Sequence, residues 1–182
     1  DAIEAASNGR HPLVLTKRKK HAEELFGMLK NQGHEPVLLT GEIDAKERKT
    51  ILSSLPRFEH EHRIIVATES LLGEGFDLSY LDTLLIATPI SWDGSITQQA
   101  GRLHRSHEGK RRVEIFDYVD LSIPMLARMY QKRLKTYAKL GYEVYVTGGS
   151  EQSDQNILIE PANAVETLVE DIVGAAKSIF IA

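Results

Sequence analysis

Short apolar runs alternate along this chain with stretches of helical periodicity, and that alternation limits its fold more than any other feature. His11–Thr16, Pro36–Thr40, Arg63–Thr68, Thr83–Ala87 and Val113–Tyr118 read as strands. After the first, Ala22, Leu25, Phe26 and Leu29 fall at i, i+3, i+4 and i+7, the stripe of an amphipathic helix, and Gly33 supplies its stop. Asp44, with Glu47 three residues on, reads as a capping box opening another helix, whose buried side is Ile51, Leu52 and Leu55. Strands separated by helices imply right-handed crossovers. The expected class is therefore α/β, in three layers: a parallel central sheet with helices on both faces.

Composition sets outer limits. A length of 182 residues suits one domain with room for an appended piece, and 42% hydrophobic residues is ample for a core. The absence of cysteine excludes disulfides and thiolate chemistry and fits a cytoplasmic protein. No apolar run approaches the roughly 18 residues of a membrane helix, and the start does not resemble a signal peptide. The net charge of −4 is unevenly placed: from Glu151 onward six acidic residues face one lysine, a net of −5, leaving +1 for residues 1–150. Basic clusters at Lys17–Lys20, Lys110–Arg112 and Arg128–Lys139 each read as solvated faces.

Two segments carry chemistry. Gln98 to Arg105 read QQAGRLHR. On a helix, that spacing puts Arg102 and Arg105 on one face, with Gln98 one turn before Arg102. Arginine is always charged and offers a rigid fork of donors that matches phosphate oxygens, so two on one face suit a transferring phosphoryl group. Upstream, Val66 to Asp77 read VATESLLGEGFD. Thr68 sits at the C-terminal edge of a strand, where open α/β sheets bind ligands. Gly73 and Gly75 flank Glu74 in a turn that Asp77 ends.

In their order and with a gap of about twenty residues, these segments resemble motifs V and VI, the latter QxxGRxxR, of superfamily 2 helicases and translocases. The resemblance is to the second, C-terminal RecA-like motor domain of that family and covers about residues 9–145. His11–Thr16 resembles motif IV, and Thr40-Gly41 the motif between IV and V. The resemblance implies ATP in a cleft between two RecA-like domains, with the first supplying the phosphate loop and the acid that binds Mg2+. This chain has no G-x-x-x-x-G-K-[ST] loop and no DExH or DEAD tetrapeptide. A first domain of the same polypeptide is therefore expected before Asp1, and residues 1–182 alone are expected to lack ATPase activity.

The resemblance also implies roles. Arg102 and Arg105 would contact the γ-phosphate; Gln98, Gly101, Gly75 and Asp77 would lie at the nucleotide. Thr16, Thr40, Gly41 and Thr68 would hold a nucleic-acid backbone, DNA being the expected track. Hydroxyls and backbone N–H groups there position phosphates without reading sequence. His104 is expected to face the surface without a catalytic role, and Arg48 to be a surface charge. The alternative is a binding or scaffold module that kept the fold and lost the chemistry; retention of both arginines, Gln98 and the GEGFD turn argues against it.

Other features are set aside. Glu59–His62 lacks HExxH spacing and the ligand geometry of a metal centre. Asp117 and Asp120 read as strand-end loop residues rather than paired catalytic carboxylates, and Trp92 as a packing residue. Ile123 to about Leu140 reads as a long helix with Ile123, Leu126, Ala127, Tyr130, Leu134 and Tyr137 on its apolar side. Arg128, Lys132, Arg133, Lys135 and Lys139 are expected on the rest. The phrase from Tyr118 to Glu143 resembles extensions of helicases of the DEAD/DEAH-like type III restriction or conflict-system kind.

The expected organisation is a RecA-like domain over 1–146, a polar linker over 147–156 and a tail over 157–182. In the tail, Ile157–Ile159 reads as a strand and Asn163 with Glu166 as a capping box; the tail resembles the opening of a phospholipase D-like nuclease module, the alternative being a private C-terminal element that packs onto the motor domain.

Overall fold

The computed structural model describes residues 1–41, 44–71, 78–88, 100–101, 103–147 and 156–161. Among these, strands β1 (Pro12–Thr16), β2 (Val37–Leu39), β3 (Ile65–Thr68), β4 (Thr83–Ile86), β5 (Glu114–Asp117), β6 (Tyr142–Thr147) and β7 (Asn156–Pro161) form one sheet, ordered β2-β3-β1-β4-β5-β7-β6. β1 to β5 pair in parallel, while β7 runs antiparallel to both β5 and β6. The five expected strands are present, each one or two residues shorter than its apolar run. Apolar pattern outlasts the ladder: Ile64 lies before β3, yet it is buried and its carbonyl accepts from Val37 N–H at 2.9 Å. Residues 157–161, read from sequence as the start of a tail, are hydrogen-bonded into the sheet beside β5, and Thr147 and Asn156, read as the ends of the linker, belong to β6 and β7. The linker residues 148–155 and the tail residues 162–182 lie outside the described residues.

Alternation along the strands builds two cores, because successive side chains point to opposite faces. On one face, Leu13, Leu15, Ile65, Ala67, Leu84 and Ile86 pack with Leu103 and with Tyr130, Leu134 and Tyr137 of helix α4 (Pro124–Lys139); Ile51 and Leu52 of α3 (Ala45–Ser54) close that layer. On the other, Val14, Val66 and Leu85 pack with Ala22 of α2 (Lys19–Asn31), flanked by Ala2 and Ile3 of α1 (Ala2–Ser7). This is the expected three-layer arrangement. Parallel strands covered on both faces read as continuous apolar runs, and all five residues of β1 are buried. Each Leu or Ile fully buried in these layers contributes about 1.5–3 kcal/mol.

Local sequence sets the helix ends. Asp44 accepts from the N–H groups of Lys46 and Glu47, both at 2.8 Å, which caps α3. α2 ends where Gly33 takes φ +84°; its N–H reaches the Lys30 carbonyl (3.0 Å) and His34 N–H the Leu29 carbonyl (3.1 Å), a Schellman pair. α4 matches the expected long helix, with two corrections: Ile123, expected on the apolar side, precedes the helix and is 43% exposed, and Arg133, expected on the solvated side, is 1% exposed. It faces Asp117, also buried, in a bidentate pair at 2.6 and 2.9 Å, and Tyr137 O–H donates to the same carboxylate at 2.9 Å. The ion pair fixes α4 to the C-terminal end of β5.

A second charged network closes the N-terminal ends of β1, β4 and β5. Arg10 pairs with Glu114 at 2.6 Å and donates to Thr83 Oγ1 at 2.7 Å, and Asp82 accepts from His11 N–H at 2.9 Å. Burial pushes the Asp82 carboxyl up, but hydrogen bonds from His11 and the Arg10 charge outweigh it, so the group lies below its ordinary 3.8. A carboxylate depressed by folding adds stability above its unfolded pKa and loses it as pH falls through the folded value. Thermal melts should therefore show the gap between the native chain and Asp82→Asn widest at neutral pH and closing below about pH 4. A gap independent of pH would contradict this.

Candidate functional site

The sheet brings the expected nucleic-acid residues into one row. Thr16 pairs in register with Thr68, and Leu39 with Ala67, so Thr40 follows beside Thr68. Thr16 and Thr68 thus end adjacent strands, about 4.8 Å apart, and Thr40 is the first residue beyond β2 on the next strand over. They are not the exposed groups of this edge. Thr16, Thr68 and Thr40 are 0, 3 and 5% exposed. Thr16 Oγ1 is hydrogen-bonded to His21 Nδ1 (2.9 Å) and Thr68 Oγ1 to Ser70 Oγ (3.2 Å). Ser70 itself is exposed, as is Gly41 in the turn after β2. A Cβ on Gly41 would lie 2.6 Å from Ser70 Oγ, so any side chain here would force that hydroxyl to move. Ser70, which the motif reading passed over, is the solvent-facing hydroxyl where Thr68 and Gly41 converge. Its signal was its place two residues after Thr68, in the turn leaving a buried strand.

The arginine segment lies elsewhere, on the stretch leading into β5. Ala100, Gly101 and Leu103 are helical, His104 sits in a turn, and Arg105 lies in a bend beyond it. The helix expected to carry both arginines on one face therefore stops short of Arg105. Gly101 and Arg105 are exposed. Lys110 Nζ donates to the Arg105 carbonyl (3.2 Å) and to the Ser79 carbonyl (3.0 Å), and Ser79 Oγ is bonded to His107 Nδ1 (3.2 Å). Ser79 lies two residues beyond Asp77, so this bracket ties the exits of the two motif segments together. Lys110 had been read as part of a solvated basic face. Burial lowers its ammonium from its ordinary value, with Asp82 acting the other way. Gln98, Arg102, Gly75 and Asp77, like Trp92, lie outside the described residues.

His104 is exposed as expected, but its ring packs edge-on to Tyr142 with centroids 5.1 Å apart. Burial pulls this imidazole below its usual value, and the Lys110 charge adds to the pull. A cleft of about 690 Å³ opens beside Arg10, Asp82, Arg111, Arg112 and Glu114. None of the described expected residues lines it. Asp117, engaged with Arg133 and Tyr137, is a structural carboxylate rather than one of a catalytic pair. Among the described residues no group of His, Asp and Glu is arranged to hold a metal ion, and no helix is long and apolar enough to cross a membrane.

A parallel sheet flanked on both faces, with a hydroxyl row at its C-terminal edge and an arginine segment entering β5, defines an α/β RecA-like domain. The chain belongs to the family of the helicase conserved C-terminal domain, whose pattern matches residues 1–107, and so to the superfamily 2 helicases. It is 25% identical over 119 residues to the ATP-dependent DNA helicase uvsW of Enterobacteria phage T4, covering 65% of this chain and 23% of that protein. It is 39% identical over 101 residues to the uncharacterized protein 108L of Invertebrate iridescent virus 3, covering 54% of this chain and 90% of that one. The solved C-terminal domain of the DEAD-box protein Dbp5 superposes with a TM-score of 0.57 at 19% identity over 71% of each chain, a likeness of fold. The chain spans less than a third of the length of the curated helicases that head its relatives.

Proposed function

We propose that this chain is the second motor domain of an ATP-dependent helicase or translocase that moves on nucleic acid, with DNA as its track. ATP and Mg2+ are held by a first RecA-like domain of the same polypeptide, which supplies the phosphate loop and the Mg2+ ligands. Arg102 and Arg105 reach the γ-phosphate across the cleft and stabilise charge developing in the transition state. Gln98, Gly101, Gly75 and Asp77 complete the nucleotide face. The intact protein is cytoplasmic and of the kind joined to restriction or conflict modules, with a nuclease module beyond the domain. The motor domain takes in residues 1–147 together with β7 (Asn156–Pro161), with 148–155 as the linker and 162–182 as the tail.

The observation that carries this reading is the row of Thr16, Thr68 and Thr40 on adjacent strand ends, with Ser70 and Gly41 exposed above it. It offers a hydroxyl and turn backbone N–H groups to a phosphate backbone, without sequence readout. Ser70 makes the outer contact and Thr68 holds it from beneath. Gly41→Ala in the full-length protein should weaken single-stranded DNA binding at least fivefold, because the new methyl displaces Ser70. An unchanged Kd in a fluorescence titration would contradict this.

Purified residues 1–182 should show no measurable ATPase, and should bind single strands weakly and less as salt rises. Robust turnover by this segment, free of contaminants, would overturn the two-domain reading. The scaffold alternative predicts instead no turnover from the full-length protein.

A further inference from the structure

The family pattern ends at residue 107, yet two side chains beyond it contact the arginine segment. The first is Lys110. Its ammonium donates to the carbonyls of Arg105 and Ser79 at 3.2 and 3.0 Å. An ammonium shared between two carbonyls fixes the backbone on which Arg105 sits, and the charged donor makes each bond stronger than a neutral one. The second is Tyr142, the first residue of β6. It is 1% exposed and its ring meets His104 edge-on at 5.1 Å and Tyr137 at 6.2 Å. Tyr137 in turn donates to Asp117 at 2.9 Å, and Asp117 is locked by Arg133. A continuous line of contacts therefore runs from the C-terminal end of β5, through α4 and β6, to His104, the residue before Arg105.

We infer that Lys110 and Tyr142 are positioning residues for the arginine segment: together they hold residues 104–105 in place, Lys110 tying them to the turn at Ser79. The inference rests on the proposed role of Arg102 and Arg105, and adds the parts of the chain that aim them. Positioning has catalytic consequences because an arginine displaced by about 1 Å loses much of its hold on a transferring phosphoryl group. Tyr142 acts through its ring alone. Among the described residues its buried hydroxyl has no hydrogen-bond partner, so removing it costs no bond to them.

The test uses the full-length protein with single-stranded DNA. Lys110→Met and Tyr142→Leu should each lower kcat for ATP at least tenfold, with KM for ATP within about threefold. Lys110→Arg, which keeps charged donors, should recover most of the loss, and Tyr142→Phe should match the native protein. Hydrogen exchange at the amides of residues 100–107 should speed up at least tenfold in both damaging variants while α2 and β1 stay protected. That second measurement does not need turnover: a native protein that hydrolyses no ATP would sink the proposed function, while exchange would still decide the bracket. Unchanged exchange at 100–107 in Lys110→Met, or Tyr142→Phe as impaired as Tyr142→Leu, would overturn the inference.

Discussion

Arg105→Lys in the full-length protein should lower steady-state ATP turnover at least a hundredfold at saturating ATP, with Arg102→Lys causing a similar or smaller loss. Lysine keeps the charge and loses the planar fork that grips two phosphate oxygens. Arginine fingers in phosphoryl-transfer enzymes contribute roughly 10³–10⁵ in rate, about 4–7 kcal/mol at ~1.4 kcal/mol per tenfold. A surface ion pair contributes at most about 1 kcal/mol, and its loss would barely alter turnover. The structure bears on this through the backbone: Arg105 is exposed just beyond a helix end, with its carbonyl held by Lys110, so its side chain projects from a fixed point. Circular dichroism should report an unchanged fold. Folded variants that hydrolyse ATP within a few-fold of the native protein would remove the arginine-finger assignment.

The largest stability effect should come from Arg133→Ala. Asp117 and Arg133 are 0 and 1% exposed and bound by two hydrogen bonds, so deleting the cation strands a carboxylate that burial already pushes above its ordinary range. Breaking a buried pair on one side costs about 3–5 kcal/mol. For a chain of this size, that corresponds to a drop in Tm of roughly 6–20 °C. The double replacement Asp117→Leu with Arg133→Met should recover most of the loss, because paired apolar substitutes remove the desolvation penalty together with the attraction. Urea unfolding of the three variants measures both steps. A loss under 1 kcal/mol for Arg133→Ala would mean that water reaches the pair.

What the sequence made legible follows from what local pattern encodes. β1, β3 and β4 are buried on both faces, so their apolar runs stand out in the chain; Asp44 and Gly33 announce helix ends because capping chemistry is local. The threonine row was partly legible: each strand end could be found, but the register that sets Thr16 beside Thr68 is a long-range fact. Burial of their hydroxyls, and the exposure of Ser70 above them, depend on that register too. Arg133 was misplaced although it falls between Tyr130 and Tyr137 on the buried stripe of α4, because its charge suggested water. Its partner, Asp117, lies sixteen residues away at a strand end. β6 carries a period-two signal, with Tyr142 and Val144 buried and Glu143 and Tyr145 less so, but it falls between a helix read as ending near Leu140 and a linker read from Thr147, and no element is read there from sequence. Lys110 was illegible for a simpler reason: its partners are backbone carbonyls, which side-chain identity does not mark.

The central claim is that these residues form half of a motor whose ATP hydrolysis is coupled to nucleic acid. The most direct measurement is steady-state ATPase of the full-length protein, alone and with single-stranded DNA, double-stranded DNA or RNA. Turnover should rise at least tenfold with DNA, and should vanish when residues 1–182 are assayed by themselves. A full-length protein that hydrolyses ATP at one unchanged rate under all four conditions, or not at all, would contradict the account.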